Sequence, residues 1–185
     1  EIGEYTHHVF KKRNIKIYLN KALKEVSKYN AILSNGKIIE TNTLISTIGS
    51  AASNLLKKSS LPLKYGRIIT NDFLQVKGFS NVWALGDAAI VPNFVNGKEQ
   101  YSPPTAQFAV RQAKNLAKNI ILKSENKNLR EFEYTSKGSL ASLGSKIGVG
   151  RVFIFTIKGL LGWIIWRVFY LTFIPSISTK MRVLF

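Results

Sequence analysis

The sequence predicts an α/β fold, and three observations lead there. Short apolar runs end abruptly at glycine, as in "LISTIG" (Leu44 to Gly49) and "NVWALGD" (Asn81 to Asp87), the pattern of buried parallel strands that open into loops. A stripe of apolar residues at helical spacing begins after Thr105. The hydrophobic content of 45% over 185 residues is enough for a core, in one domain or two small ones.

Each element follows from local pattern. Tyr5 to Arg13 reads as the end of a helix, with His7 and His8 on its solvated face, and "NIKIYLN" (Asn14 to Asn20) alternates as a strand. Residues Lys24 to Gly49 hold several short strands, with "SNGK" (Ser34 to Lys37) giving the Asn-Gly signal of a tight hairpin. "RIITNDFLQV" (Arg67 to Val76) predicts paired strands, "NVWALGD" another buried one, and "NFVNGKEQYSPP" (Asn93 to Pro104) a loop. Pro103 and Pro104 lie where a helix would start. The helical stripe is Ala106, Ala109, Val110, Ala113, Leu116, Ala117, Ile120 and Ile121, with Lys114 and Lys118 forming a basic flank. "KSENKNLREFEY" (Lys123 to Tyr134) is a polar break and the expected internal boundary. Beyond it, "GSLASLG" and "IGVGRVF" suggest two strands, and the tail from Ile154 to Pro175 is strongly apolar.

Composition narrows the chemistry. Lys+Arg 27 against Asp+Glu 10 gives a formal charge of +17, which points to an anionic partner: nucleic acid, an acidic membrane surface or a phosphate-bearing cofactor. Cys 0 removes disulfides and thiol chemistry, so a redox function must borrow an organic cofactor. Two adjacent histidines make no metal site, and none is expected. Glu1 to Arg13 has no apolar signal-peptide core, and the absent start methionine suggests a piece of a longer protein.

Gly86-Asp87 raises the functional question, because an apolar strand here ends by presenting a carboxylate. Glycine lets a ligand approach the backbone closely, and a fixed aspartate accepts hydrogen bonds from sugar-like hydroxyls. A turn or a helix cap explains the bare dipeptide equally well. Its context is more specific. "GRIITNDFLQVKGFSNVWALGDAA" (Gly66 to Ala89) resembles the second FAD-binding motif of the two-dinucleotide-domain flavoproteins. The resemblance implies that Asp87 accepts a hydrogen bond from the FAD ribityl chain while Gly86 gives it room. "TIGS" (Thr47 to Ser50) is similar to that group's strand end at the return to the FAD domain, which implies Gly49 near the cofactor.

"SPPTAQFAVRQAKNLAKNI" (Ser102 to Ile120) is similar to a helix of the type II NADH dehydrogenases, single-subunit NADH:quinone oxidoreductases. A helix's first turn carries unpaired N–H groups and a positive dipole end, suited to the electron-rich edge of a flavin. The resemblance therefore implies Thr105, Ala106 and Gln107 at the isoalloxazine ring, and Gln107, Arg111 and Gln112 toward a quinone. One common form of this signature has glutamine where this chain has Arg111.

In the apolar tail, Lys158 and Arg167 interrupt a run shorter than the ~20 uncharged residues a spanning helix needs. An interfacial helix fits better, with Trp163, Trp166, Phe169 and Tyr170 at headgroup level, Arg167 snorkelling, and anionic lipid attracted by the net charge. The alternative is a core helix or dimer interface. "GSLASLG" followed by "GWIIW" also resembles the membrane-docking part of the same dehydrogenases.

No G-x-G-x-x-G occurs, and "GVGR" (Gly148 to Arg151) lacks the third glycine. A flavoprotein of this class uses two such turns, for FAD and for NADH, so the chain matches only the C-terminal part of the family. The expected organisation is residues 1–45 as the end of the NADH-binding domain, 46–124 as the returning half of the FAD-binding domain, and 125–185 as the membrane- and quinone-facing region. The implied fold is the C-terminal part of a Rossmann-like, two-domain flavoprotein with a small α+β region. The implied activity of the intact protein is electron transfer from NADH through FAD to a membrane quinone, peripherally bound at the cytoplasmic face of the inner or plasma membrane. The fragment alone is expected to be inactive, a homodimer is left open, and no catalytic acid stands out. Sulfide:quinone and ferredoxin or disulfide reductases share the fold. A basic module binding membrane or nucleic acid would explain the charge, but not "VWALGDAA" followed by "PPTAQ", and nucleic acid is not an expected partner.

Overall fold

Contacts divide the chain into a unit formed by Glu1–Ser46 together with residues from Ser136 onward, and a unit formed by Thr47–Thr135. The computed structural model describes residues 1–47, 53–95 and 97–184.

In the first unit, α1 (Ile2–Lys12) carries Lys11 and Lys12 in its last turn, where cations meet the negative end of the helix dipole. Val9 is buried and His7 and His8 are exposed. The strand expected over Asn14 to Asn20 does not form. Asn14 and Asn20 both take φ 57, left-handed backbone that interrupts a strand, and Ile15 and Leu19 remain exposed. An antiparallel meander follows instead, in the order β1 (Leu23–Val26), β2 (Asn30–Leu33), β3 (Ile38–Glu40). The predicted "SNGK" turn joins β2 to β3, with the Gly36 N–H donating to the Leu33 carbonyl at 2.9 Å. Central β2 buries Ala31 and Leu33, whereas β1 is exposed throughout.

The run from Leu44 is no strand over its described part, residues 44–47, and Leu44 and Ile45 are exposed. A buried parallel strand needs neighbours on its edges. Among the described residues, no strand pairs with this one.

The second unit starts with α2 (Asn54–Lys57), a single turn whose first N–H groups are capped by the Ser53 hydroxyl accepting from Leu55 N–H at 3.2 Å. Strands β4 (Leu63–Lys64) and β5 (Arg67–Ile69) pair antiparallel. The predicted reversal after β5 is closed by an Asx turn, in which Asn71 Oδ1 accepts from the N–H groups of Phe73 and Gln75 at 3.1 and 3.0 Å. Leu74 at its tip is fully buried. "NVWAL" runs extended against this turn, with Ala84 N–H donating to the Leu74 carbonyl at 3.1 Å. It forms only one bridge, Gln75 to Trp83, and no regular strand. A 3-10 turn over Gly86–Ala88 leads into β6 (Ala89–Ile90), parallel to β5.

The predicted loop over Asn93 to Pro104 is a hairpin instead, β7 (Pro92–Val95) and β8 (Lys98–Tyr101). "VNGK" carries the same Asn-Gly signal as "SNGK", and Gly97 supplies φ 73 for the turn. Helix α3 (Ala106–Ser124) begins just after the prolines, which precede the Thr105 N-cap and lie outside the first turn, and its buried face differs from the apolar stripe. Phe108, Gln112 and Asn119 are buried, while Val110, Ile120 and Ile121 are exposed. Two amides enter the interior because each finds backbone partners there, which removes the desolvation cost of burial. The unit's core joins Ile68, Leu74, Val76, Ala84, Ala89, Val91, Phe108 and Phe132.

Back in the first unit, "GSLASLG" and "IGVGRVF" form β9 (Gly138–Ser142) and β10 (Gly148–Val152) as predicted. Strand β11 (Phe155–Lys158) completes an antiparallel sheet in the order β11-β10-β9. Helix α4 (Gly159–Leu171) crosses β10 so closely that a Cβ on Gly162 would lie 2.6 Å from the Gly148 carbonyl oxygen. Arg167 hydrogen-bonds the Val183 carbonyl, tying α5 (Ile177–Leu184) to α4. Among the described residues, no helix is long and apolar enough to cross a membrane.

Candidate functional site

The second unit gathers the residues singled out around Gly86-Asp87. Gly86 adopts φ +63, and a Cβ there would stand 3.3 Å from Ala109 Cβ, so glycine suits both the left-handed backbone and the close approach to α3. Its N–H donates to Gln112 Oε1 at 2.8 Å. Gln112 is 2% exposed and offers no surface to a ligand. Its amide ties the tip of the extended segment to the helix, which differs from the quinone contact expected of it.

That tie leaves Asp87 at the surface. Among the described residues, no cation and no hydrogen-bond donor occupies its carboxylate. At the start of α3, Thr105 is the N-cap residue, with extended backbone and no side-chain cap bond, and both Thr105 and Ala106 are exposed. The first turn contains no acidic residue. An acceptor on the turn and N–H donors on a helix start can together hold a ligand carrying both hydroxyls and an electron-rich edge. Gly49 lies outside the described residues.

One turn further along α3, Gln107 and Arg111 meet a residue the sequence reading missed, Tyr134. Gln107 Nε2 donates to the Tyr134 hydroxyl at 2.6 Å. The Arg111 guanidinium lies over the Tyr134 ring at 4.3 Å and donates to the Gln107 carbonyl at 2.8 Å. Phe108 packs edge-on against the same ring, centroids 5.1 Å apart.

Tyr134 is delivered there by the polar stretch after α3, which is clipped to the unit by asparagines. Asn119 Nδ2 donates to the carbonyls of Phe73 and Arg130 at 3.1 and 2.9 Å, and its Oδ1 accepts from Arg130 N–H at 2.9 Å. Asn115 Nδ2 donates to the Glu131 carbonyl at 3.1 Å. Buried Asn93 grips Tyr134 at both backbone groups, donating to its carbonyl and accepting from its N–H, each at 2.9 Å. Between these grips Phe132, 2% exposed, plugs the core. The sequence signal for this arrangement was two aromatics, Phe132 and Tyr134, in an otherwise polar break.

The aromatic tail residues lie in the first unit. Phe169 and Tyr170 on α4 are exposed and their rings meet edge to face at 5.5 Å, while Trp163, Trp166 and Arg167 are half-buried. Arg167 lies over the Trp163 ring at 5.1 Å. Leu160, Leu161, Ile164 and Val168 of α4, with Phe173 and Met181 beyond it, continue an exposed apolar surface.

Comparison with known proteins bears on this site. Residues 1–113 match the family model of the pyridine nucleotide-disulphide oxidoreductases. A probable NADH dehydrogenase of Dictyostelium discoideum is 36% identical over 179 residues, covering 95% of this chain and 38% of that protein. A type II NADH:quinone oxidoreductase of Staphylococcus aureus is 37% identical over 116 residues, covering 62% of this chain and 28% of that one. In three dimensions, the structure of NDH2 from Plasmodium falciparum in complex with NADH superposes with a TM-score of 0.84 at 18% identity, over 99% of this chain and 53% of that one. The chain thus spans well under half the length of the curated relatives it matches.

Proposed function

Because the chain belongs to the pyridine nucleotide-disulphide oxidoreductase family, we propose that it forms part of an NADH:quinone oxidoreductase and supplies one wall of its FAD site. The observation that carries this reading is the Gly86-Asp87 turn, locked to α3 by Gln112 with the Asp87 carboxylate left open. The residues fit the cofactor: Asp87 would hold the ribityl hydroxyls, and the α3 start at Thr105, Ala106 and Gln107 would face the pyrimidine edge of the ring. FAD held by these residues would supply the redox chemistry between NADH and an acceptor. Gln107 and Arg111 would orient the quinone. We assign residues 1–45 to the end of the NADH-binding domain, 46–124 to the returning half of the FAD-binding domain and 125–185 to the membrane- and quinone-facing region, whose first residues, through Thr135, pack in the second unit with Phe132 in its core. Relatives named as an NADH dehydrogenase and a type II NADH:quinone oxidoreductase support the choice of donor and acceptor.

The exposed apolar surface of α4 and the formal charge of +17 support a peripheral seat on an anionic membrane. We place the protein at the cytoplasmic face of the inner or plasma membrane, where lipid delivers the quinone.

The test uses the protein from the complete open reading frame. A flavin absorption spectrum with NADH oxidation dependent on a short-chain quinone is expected. Asp87→Ala should lower retained flavin several-fold through loss of a charge-assisted hydrogen bond. Colourless protein would refute the reading, and unchanged flavin stoichiometry in Asp87→Ala would remove that residue from the site.

A further inference from the structure

We infer that Tyr134 is a positioning residue for the electron acceptor, setting the side chains of Gln107 and Arg111 at the start of α3. This deepens the proposed quinone-reductase reading and rests on it.

Three features of the geometry point the same way. The ring is immobilised before it meets either partner: Asn93 holds the backbone at both polar atoms, and Phe108 packs against the ring edge. Each partner then takes a different part of the tyrosine, Gln107 the hydroxyl at 2.6 Å and Arg111 the ring face at 4.3 Å. Long polar side chains such as these carry considerable rotamer entropy, and a rigid surface that fixes them lowers the cost of binding a third group. Arg111 also donates to the main-chain carbonyl of Gln107 one turn back, which fixes its guanidinium to the helix.

The arrangement suits a planar acceptor with carbonyl oxygens. A guanidinium seated over an aromatic ring has N–H donors beyond the one given to the Gln107 carbonyl, and these can reach such an oxygen. Without the tyrosine hydroxyl, Gln107 loses the hydrogen bond that ties it to the returning segment. Without the ring, Arg111 loses its platform too.

The experiment is a steady-state comparison on the full-length protein, with NADH as donor and either a short-chain quinone or ferricyanide as acceptor. Tyr134→Phe, which keeps the ring and its packing, should raise KM for the quinone about three- to tenfold relative to KM for ferricyanide, the size of one lost hydrogen bond. Tyr134→Ala should raise it further. In a Gln107→Ala background the effect of Tyr134→Phe should largely vanish, because the hydroxyl acts through that amide. Quinone turnover in the wild type with Tyr134→Phe indistinguishable from it, or with additive effects of the two substitutions, would overturn the inference alone. Wild-type protein that oxidises NADH but reduces no quinone would remove the functional reading and this inference with it. If both acceptors suffer equally, the tyrosine is a structural residue and the inference falls.

Discussion

At the scale of single residues, Gln112 shows how a side chain's chemistry leaves its use open. A glutamine beside Arg111 at the start of a helix could face outward to a ligand or inward to a backbone group. It faces inward, where the N–H of half-buried Gly86 would otherwise lack a protein partner. Such a donor costs about 1–3 kcal/mol. Gln112→Leu should therefore destabilise the full-length protein by about that amount and loosen flavin retention, seen as a lower thermal midpoint and a paler spectrum. A raised quinone KM at unchanged stability would show instead that Gln112 serves the acceptor.

At the scale of elements, the decisive event is the return of residues 128–135 across α3. This stretch is rich in charge, and nothing in its pattern suggests packing. It is held because Asn93, Asn115 and Asn119 mimic the backbone partners it lacks, and because Phe132 fills the core. Asn119→Ala removes bonds to Phe73 and Arg130 and leaves buried backbone groups unpaired, a loss of about 2 kcal/mol or more. Amide hydrogen exchange at Arg130, Phe132 and Tyr134 should accelerate in that variant. Equal protection with and without the amide would mean the segment is held by Phe132 alone. In the first unit, α4 and β10 depend on a different economy of space, since the Gly148 and Gly162 backbones meet where a methyl group has no room.

At the scale of the molecule, charge and exposed apolar surface act together. Phe169 and Phe173 are 45% and 59% exposed, so replacing them disturbs little internal packing. The double variant Phe169→Glu with Phe173→Glu should cut binding to anionic vesicles by about tenfold or more, through lost apolar burial and added repulsion. Its NADH oxidation with a soluble acceptor should persist. Vesicle co-sedimentation equal to wild type would show that this surface faces something other than lipid. Raising the salt should weaken the wild type's binding by screening its electrostatic part.

The sequence by itself determined the local elements whose cause is local: α1, the "SNGK" hairpin, the reversal after β5, strands β9 and β10, and the start of α3 after two prolines. It also marked Gly86-Asp87 as the end of the apolar run, where glycine takes a left-handed backbone beside α3. The strand expected at Asn14 to Asn20 gave way to left-handed backbone at both asparagines, and residues 44–47 of the run from Leu44 pair with no described strand. The second hairpin was legible in "VNGK" once its Asn-Gly signal is weighed like the first. Only the tertiary structure decided which face of α3 is buried, because an apolar stripe counts transfer energy and not the backbone groups waiting for Gln112 and Asn119. It alone brought Tyr134 to Gln107 and Arg111 across a separation of more than twenty residues, since a hydrogen bond between distant side chains leaves no period in the chain.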